Sequence, residues 1–115
     1  MSLATIITAL LVLLFIVTGA SKALATSRSR TDAEHFAIPV HRFRLLGLFE
    51  LALAAALAIG VVVPPLSAVA ATAAATLMVA ALIYHRLAHD QASAYLPAVV
   101  TFVASVALVT LIATS

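Results

Sequence analysis

The chain has no cysteine and no tryptophan, and only three glycines and four prolines in 115 residues. Without cysteine it can form no disulfide, no thiolate metal site and no dithiol redox couple of its own. Charge is equally scarce. Asp, Glu, Lys and Arg together make up 9% of residues, against about 25% in an ordinary soluble domain. A net charge of +2 built from so few groups describes connecting segments rather than a basic binding face, so nucleic acid is excluded as a partner. What fills the chain instead is apolar, at 65% hydrophobic residues against about 45–50% in soluble domains. A water-soluble protein this small cannot hide so much apolar surface, because small domains have the least interior per residue. Soluble and disordered classes fall away, and the lipid bilayer is the partner that the composition requires.

A helix needs about 20 mostly apolar residues to cross a hydrocarbon core. Four stretches qualify, at about 3–25, 43–63, 66–85 and 97–113. Backbone groups left unpaired in lipid are costly, so each span is expected to be helical throughout. The expected fold class is all-α, a four-transmembrane-helix bundle forming a single membrane domain over residues 1–115. Pro64 and Pro65 read as a tight turn between the second and third spans. Pro97 reads as the first residue of the fourth, where its missing N–H would go unpaired anyway. Ala23-Leu24-Ala25 has the form of a signal-peptidase site. No Lys or Arg precedes the run and the run is long for a signal core, so the first span is expected to be a retained helix.

The cations Lys22, Arg28, Arg30, Arg42 and Arg44 lie in or beside the first connection and Arg86 in the third; the second connection and both tails carry none. Positive loops stay cytoplasmic. The expectation is therefore a multi-pass protein of the inner membrane with segments 26–42 and 86–96 in the cytoplasm and both termini outside. Phe43, Tyr84 and Tyr95 are expected at the cytoplasmic boundary as interfacial rings. Within the first loop, Thr31 and Glu34 have capping-box spacing, which predicts a short amphipathic helix on the membrane surface ended by Pro39.

Ionisable groups within a membrane are expensive and face the bundle interior or a cavity. Glu50 lies about 10 Å into the second span, at 1.5 Å per residue, and Lys22 near the end of the first. In antiparallel neighbours the two occupy the same half of the membrane, and an ion pair is geometrically easy. Each follows a glycine by three positions, Gly19 before Lys22 and Gly47 before Glu50, which opens backbone room on the charged face for close helix packing. In the third span Ser67, Ala71, Ala74, Met78, Ala81 and His85 recur at spacings of four and three. That stripe carries His85 to the same end, so Lys22, Glu50 and His85 are expected to converge as an intramembrane polar cluster. The cluster reads either as a structural lock between helices or as a ligand or proton site. His85 and His89 are four apart with Asp90 beside them, but a zinc site needs further ligands, with His35 and His41 in the other loop the only remaining histidines; no metal site is assigned. Thr101 and Ser105 read as packing groups between helices. No cofactor and no catalytic residue can be named.

The order of these features resembles DoxX-like membrane proteins. The features are Gly19-x-x-Lys22, the loop stretch Glu34-x-Phe36-x-x-Pro39, Gly47-Leu48-Phe49-Glu50-Leu51, Pro64, and an alanine-rich third span closing on Tyr84-His85. The resemblance covers nearly the whole chain and implies a four-helix integral membrane protein. The family is named for a subunit of an archaeal thiosulfate:quinone oxidoreductase, and relatives serve as accessory or assembly factors. An accessory or assembly subunit of a membrane complex, with a quinone-linked redox complex as its setting, is therefore the first expectation. The family's polar positions fall on Lys22, Glu50 and His85. Two alternatives stand beside it. One is a small oligomeric proton-coupled transporter using Glu50, although the low aromatic content, 6%, suits large cations poorly. The other is a quinone- or lipid-binding component of a membrane oxidoreductase, in which His85 or Glu50 would donate a proton within hydrogen-bond reach of the substrate. Catalysis by the isolated chain is not implied. The partners expected are the bilayer and either subunits of a membrane complex or further copies of the chain.

Overall fold

A computed structural model of the chain describes residues 1–115 and contains helices only. These are α1 (Leu3–Ala23), α2 (Ser27–His35), α3 (Val40–Gly60), α4 (Pro64–Leu87) and α5 (Ala92–Ala113). Four of them are long and apolar enough to cross a membrane, at 21, 21, 24 and 22 residues. At 1.5 Å per residue each exceeds about 30 Å, the thickness of a hydrocarbon core. Their order around the bundle is α1, α3, α4, α5, with α5 closing back on α1 and no close backbone approach across the diagonals. The short α2 leans on α1 and α3 at the end where the arginines gather.

The core lies where side chains of different size meet. Leu11 and Phe15 from α1, Leu53 and Leu57 from α3 and Leu108 from α5 close on Ala70, Ala71 and Ala74 of α4. Alanine on α4 removes bulk, so its axis can approach helices that carry leucine. The stripe read from the third span is this inward face, with Ser67, Ala71 and Ala74 buried and Met78, Ala81 and His85 half-buried toward the arginine-bearing end. Opposite faces expose Leu10, Leu13, Val17, Val69, Val100 and Val103. In water such a girdle would be an aggregation surface; in a bilayer it is the solvated surface.

Helix ends differ from the sequence reading in three places. α2 starts one turn earlier than the Thr31 box suggested: Thr26 is the cap and accepts from Ser29 N at 3.2 Å, while Thr31 sits inside the helix and donates to Ser27 O. A hydroxyl within reach of the preceding turn favours that backbone bond over capping. Pro64 and Pro65 are not the tight turn itself but the first two residues of α4, positions whose N–H groups have no intrahelical partner and whose fixed φ suits a helix. α5 begins at Ala92 and takes Pro97 inside it. The connection before it is therefore only 88–91, because Asp90 is tied down by side chains from α2 and α4 and the chain turns immediately.

Three helix ends at the arginine-bearing pole close by one device. Thr26 N bonds Ser21 O and Ala25 N bonds Lys22 O; Ile38 N bonds Ala33 O and Ala37 N bonds Glu34 O; Asp90 N bonds His85 O and His89 N bonds Arg86 O. Each is a Schellman closure, which places one residue in the left-handed region. Here those residues are Ala25, Ala37 and His89, at φ 50, 56 and 56. No glycine is used for them.

Candidate functional site

All three glycines serve helix contact instead. A Cβ on Gly47 would lie 2.6 Å from Ala23 N, Gly19 O and Lys22 Cβ, and one on Gly19 would lie 2.8 Å from Gly47 O. The two residues thus face each other across the α1–α3 seam, backbone against backbone, which is what small residues permit between membrane helices. Gly60 plays the same part at the other pole against Ser67 of α4.

Beside this crossing the seam holds the buried charge. Glu50 is 3% exposed. Its Oε1 accepts from Thr18 Oγ1 at 2.8 Å, and Lys22 Nζ stands 2.7 Å from Oε2. The Lys22 contact has ion-pair length but lies off the hydrogen-bond angle, so Oε2 keeps an unfilled acceptor direction. Lys22 Nζ also lies 5.5 Å from the centroid of the Phe43 ring. Phe43 is buried, not interfacial as its position in the sequence suggested. It precedes Gly47 by four residues and Glu50 by seven, so it shares their inward face and its ring walls the cation. Thr18 hydroxyl is also within 3.1 Å of Leu14 O. With one proton to give, the hydroxyl can satisfy only one of these two acceptors at a time.

A second polar group lies at the same pole. Asp90 is gripped from two sides, by His35 Nε2 on Oδ1 and His85 Nδ1 on Oδ2, each at 2.6 Å. Rings pack around it: Phe36 meets His85 edge-on at 5.2 Å and Tyr84 at 6.3 Å, and Tyr95 lies 5.3 Å from His85. The clasp ties the end of α2 to the α4–α5 connection. The hydrogen bond from His85 holds the Asp90 carboxyl below its ordinary value; partial desolvation opposes this, and the bond from His35 and the electrostatic pull of both rings reinforce it.

Lys22 and Glu50 are thus brought into contact, whereas the hydrogen bonds and ion pairs of His85 go to Asp90 and none reaches the other two. His89 lies beyond the end of α4 in the left-handed region, so it does not share a helical face with His85. No group of three or more His, Cys, Asp or Glu side chains converges as a metal site would require. Thr101 and Ser105 donate to Pro97 O and Thr101 O of their own helix. Both hydroxyls are satisfied within α5 rather than between helices, because the carbonyl one turn back is nearer than any neighbouring helix. Sequence reading missed Thr18 and the His35–Asp90 bond.

The chain matches the family model for DoxX-like proteins over residues 6–108, most of its length. The chain belongs to the DoxX-like family. No curated protein and no solved structure matches it. As a DoxX-like protein with four long apolar helices, it is a multi-pass membrane protein in contact with the bilayer.

Proposed function

We propose that this DoxX-like protein is a non-catalytic accessory or assembly subunit of a membrane complex. It would act as a stiff four-helix module that partner subunits pack against, and a quinone-linked redox complex is the setting suggested by the family. The observation that carries this reading is the closure of the buried charge. Glu50 is 3% exposed and held by Thr18 and Lys22 inside the α1–α3 seam, and its neighbours are fixed by glycine contacts. A carboxylate that carried protons or met a substrate would need an aqueous path or a cavity at its oxygens. A lock needs neither. The arginines at a single pole support an orientation with that pole in the cytoplasm and both termini outside, in the inner membrane.

A second reading, a proton-coupled carrier centred on Glu50, draws on the unfilled acceptor direction of Oε2. Both are tested with one tagged protein. Purification in mild detergent followed by mass spectrometry of co-purifying subunits is expected to return one or more membrane partners in fixed proportion. If the protein purifies alone and, in liposomes, conducts protons in a manner abolished by Glu50→Gln, the accessory reading is wrong and the carrier stands.

A further inference from the structure

The five arginines, Arg28, Arg30, Arg42, Arg44 and Arg86, stand at one pole of the bundle, and none of them forms an ion pair with a carboxylate. Every ion pair in the protein involves Lys22 or a histidine: Glu50 takes Lys22, and Asp90 takes His35 and His85. The remaining acids, Asp32 and Glu34, pair with none of the arginines either. The protein therefore presents guanidinium groups at the level of lipid headgroups with no internal counter-charge.

Two of these arginines are placed rather than free: Arg30, whose Nε donates to Ala25 O at 3.0 Å, and Arg44, which alone of the two borders a groove. Arg44 Nε donates to Ala23 O at 3.0 Å, at the end of α1. That bond fixes the guanidinium on the rim of a groove of about 350 Å³ lined by Ala23, His41, Arg44, Leu45 and Leu48, and its Nη groups make no hydrogen bond within the protein. His41, Arg44, Leu45 and Leu48 follow at spacings of three, one and three, so they form one stripe along α3. Polar residues occupy its end near the pole and leucines the part running toward the middle of the bilayer. Leu45 and Leu48 are 62% and 54% exposed.

We propose that this groove is a binding site for one anionic phospholipid, with the headgroup phosphate on the Nη groups of Arg44 and the ring of His41 and an acyl chain along Leu45 and Leu48. A guanidinium held at one nitrogen keeps a fork of donors that matches phosphate geometry. The apolar floor directly beneath the fork selects a phosphate that carries a hydrocarbon chain over one that does not. Lipid bound here touches both α1 and α3 and therefore bears on the seam that holds Glu50, and the site is independent of any partner subunit.

The test is a titration of the purified protein with phosphatidylglycerol and with phosphatidylcholine of the same acyl chains, read by native mass spectrometry. One phosphatidylglycerol is expected to bind in preference to phosphatidylcholine. Arg44→Gln is expected to weaken it by about fivefold, the scale of one cationic contact at an anionic membrane surface, and His41→Gln by a smaller factor. Arg42→Gln, which lies off the groove, should leave binding unchanged. His41→Gln disturbs no hydrogen bond within the protein, so it stays informative if Arg44→Gln loosens the end of α1. Three results would overturn the site. They are equal binding of the two lipids, equal weakening by Arg42→Gln, which would mean diffuse surface charge, or full competition by millimolar inorganic phosphate, which would mean that the apolar floor contributes nothing.

Discussion

Replacing Gly47 by alanine adds a single methyl group at the narrowest point of the α1–α3 seam. That methyl would lie 2.6 Å from three atoms, two of them backbone (Ala23 N and Gly19 O), and ordinary contact begins near 3.4 Å. The helices must therefore part by about 0.8 Å at this point, and no side-chain rotation relieves a clash with main chain. Overpacking of this kind costs typically 1–3 kcal/mol, and three simultaneous contacts put it at about 3. Alanine returns about 1 kcal/mol through better helix propensity. The net expectation is a loss of about 2 kcal/mol. Parting the helices also stretches the Lys22–Glu50 contact one turn away, which adds to the loss. Gly19→Ala meets its nearest atoms at 2.8 and 3.0 Å, one of them a leucine side chain, and should cost less. Reversible unfolding in mixed detergent and sodium dodecyl sulfate micelles, followed by circular dichroism, measures both. If Gly47→Ala is as stable as the parent, or if Gly19→Ala proves the more damaging of the two, the backbone-to-backbone description of the seam is wrong.

The two halves of the buried pair should respond unequally. Lys22→Met strands a carboxylate that is 4% exposed and should cost about 3–5 kcal/mol, whereas Glu50→Gln leaves a lysine that is 21% exposed and can bend toward water, so it should cost clearly less in the same unfolding assay. The double variant should recover part of the loss seen in Lys22→Met. Ala25→Gly and Ala37→Gly relieve left-handed backbone at helix ends and should each raise stability by about 0.5–1 kcal/mol, despite the greater freedom glycine has when unfolded. The lowered Asp90 carboxyl stabilises the fold above its ordinary value of 3.8, and that stabilisation disappears as pH falls through the lower folded value. Asp90→Asn should thus be less stable than the parent at neutral pH, with the gap closing in acid below 3.8; a gap independent of pH would remove the clasp from the account.

The spans are legible in the sequence because lipid imposes one requirement, uninterrupted apolar length, and α1, α3, α4 and α5 meet it with few exceptions. The contact between Lys22 and Glu50 is legible for a related reason. Each charge follows a glycine by three residues, and two such faces on antiparallel helices at one depth have few other ways to be satisfied. Boundaries are less legible. Pro64, Pro65 and Pro97 obey weak local preferences, and in α5 a tertiary bond to Asp90, made by a histidine 55 residues away, decides where the chain turns. No local pattern encodes that distance. The convergence of His85 with the pair misjudges competition in the same way: a carboxylate five residues on in its own connection reaches the ring first.

The glycines sharpen the point. Three helix ends need a residue in the left-handed region, where glycine costs least, and the chain places Ala25, Ala37 and His89 there. Gly19 and Gly47 stand inside spans, where each gives up helix propensity of about 1 kcal/mol, and Gly60 is the last residue of α3. A sequence that forgoes glycine where the backbone favours it and keeps it where propensity resists it is shaped by contact between helices. Gly19 and Gly47 mark the α1–α3 seam in the sequence, and the structure adds Gly60 against Ser67 at the other pole. The two charges lie on either side of the Gly19–Gly47 crossing, because three residues on runs in opposite directions along antiparallel helices. The long Lys22 side chain, based level with Gly47, reaches along the seam to Glu50, level with Thr18.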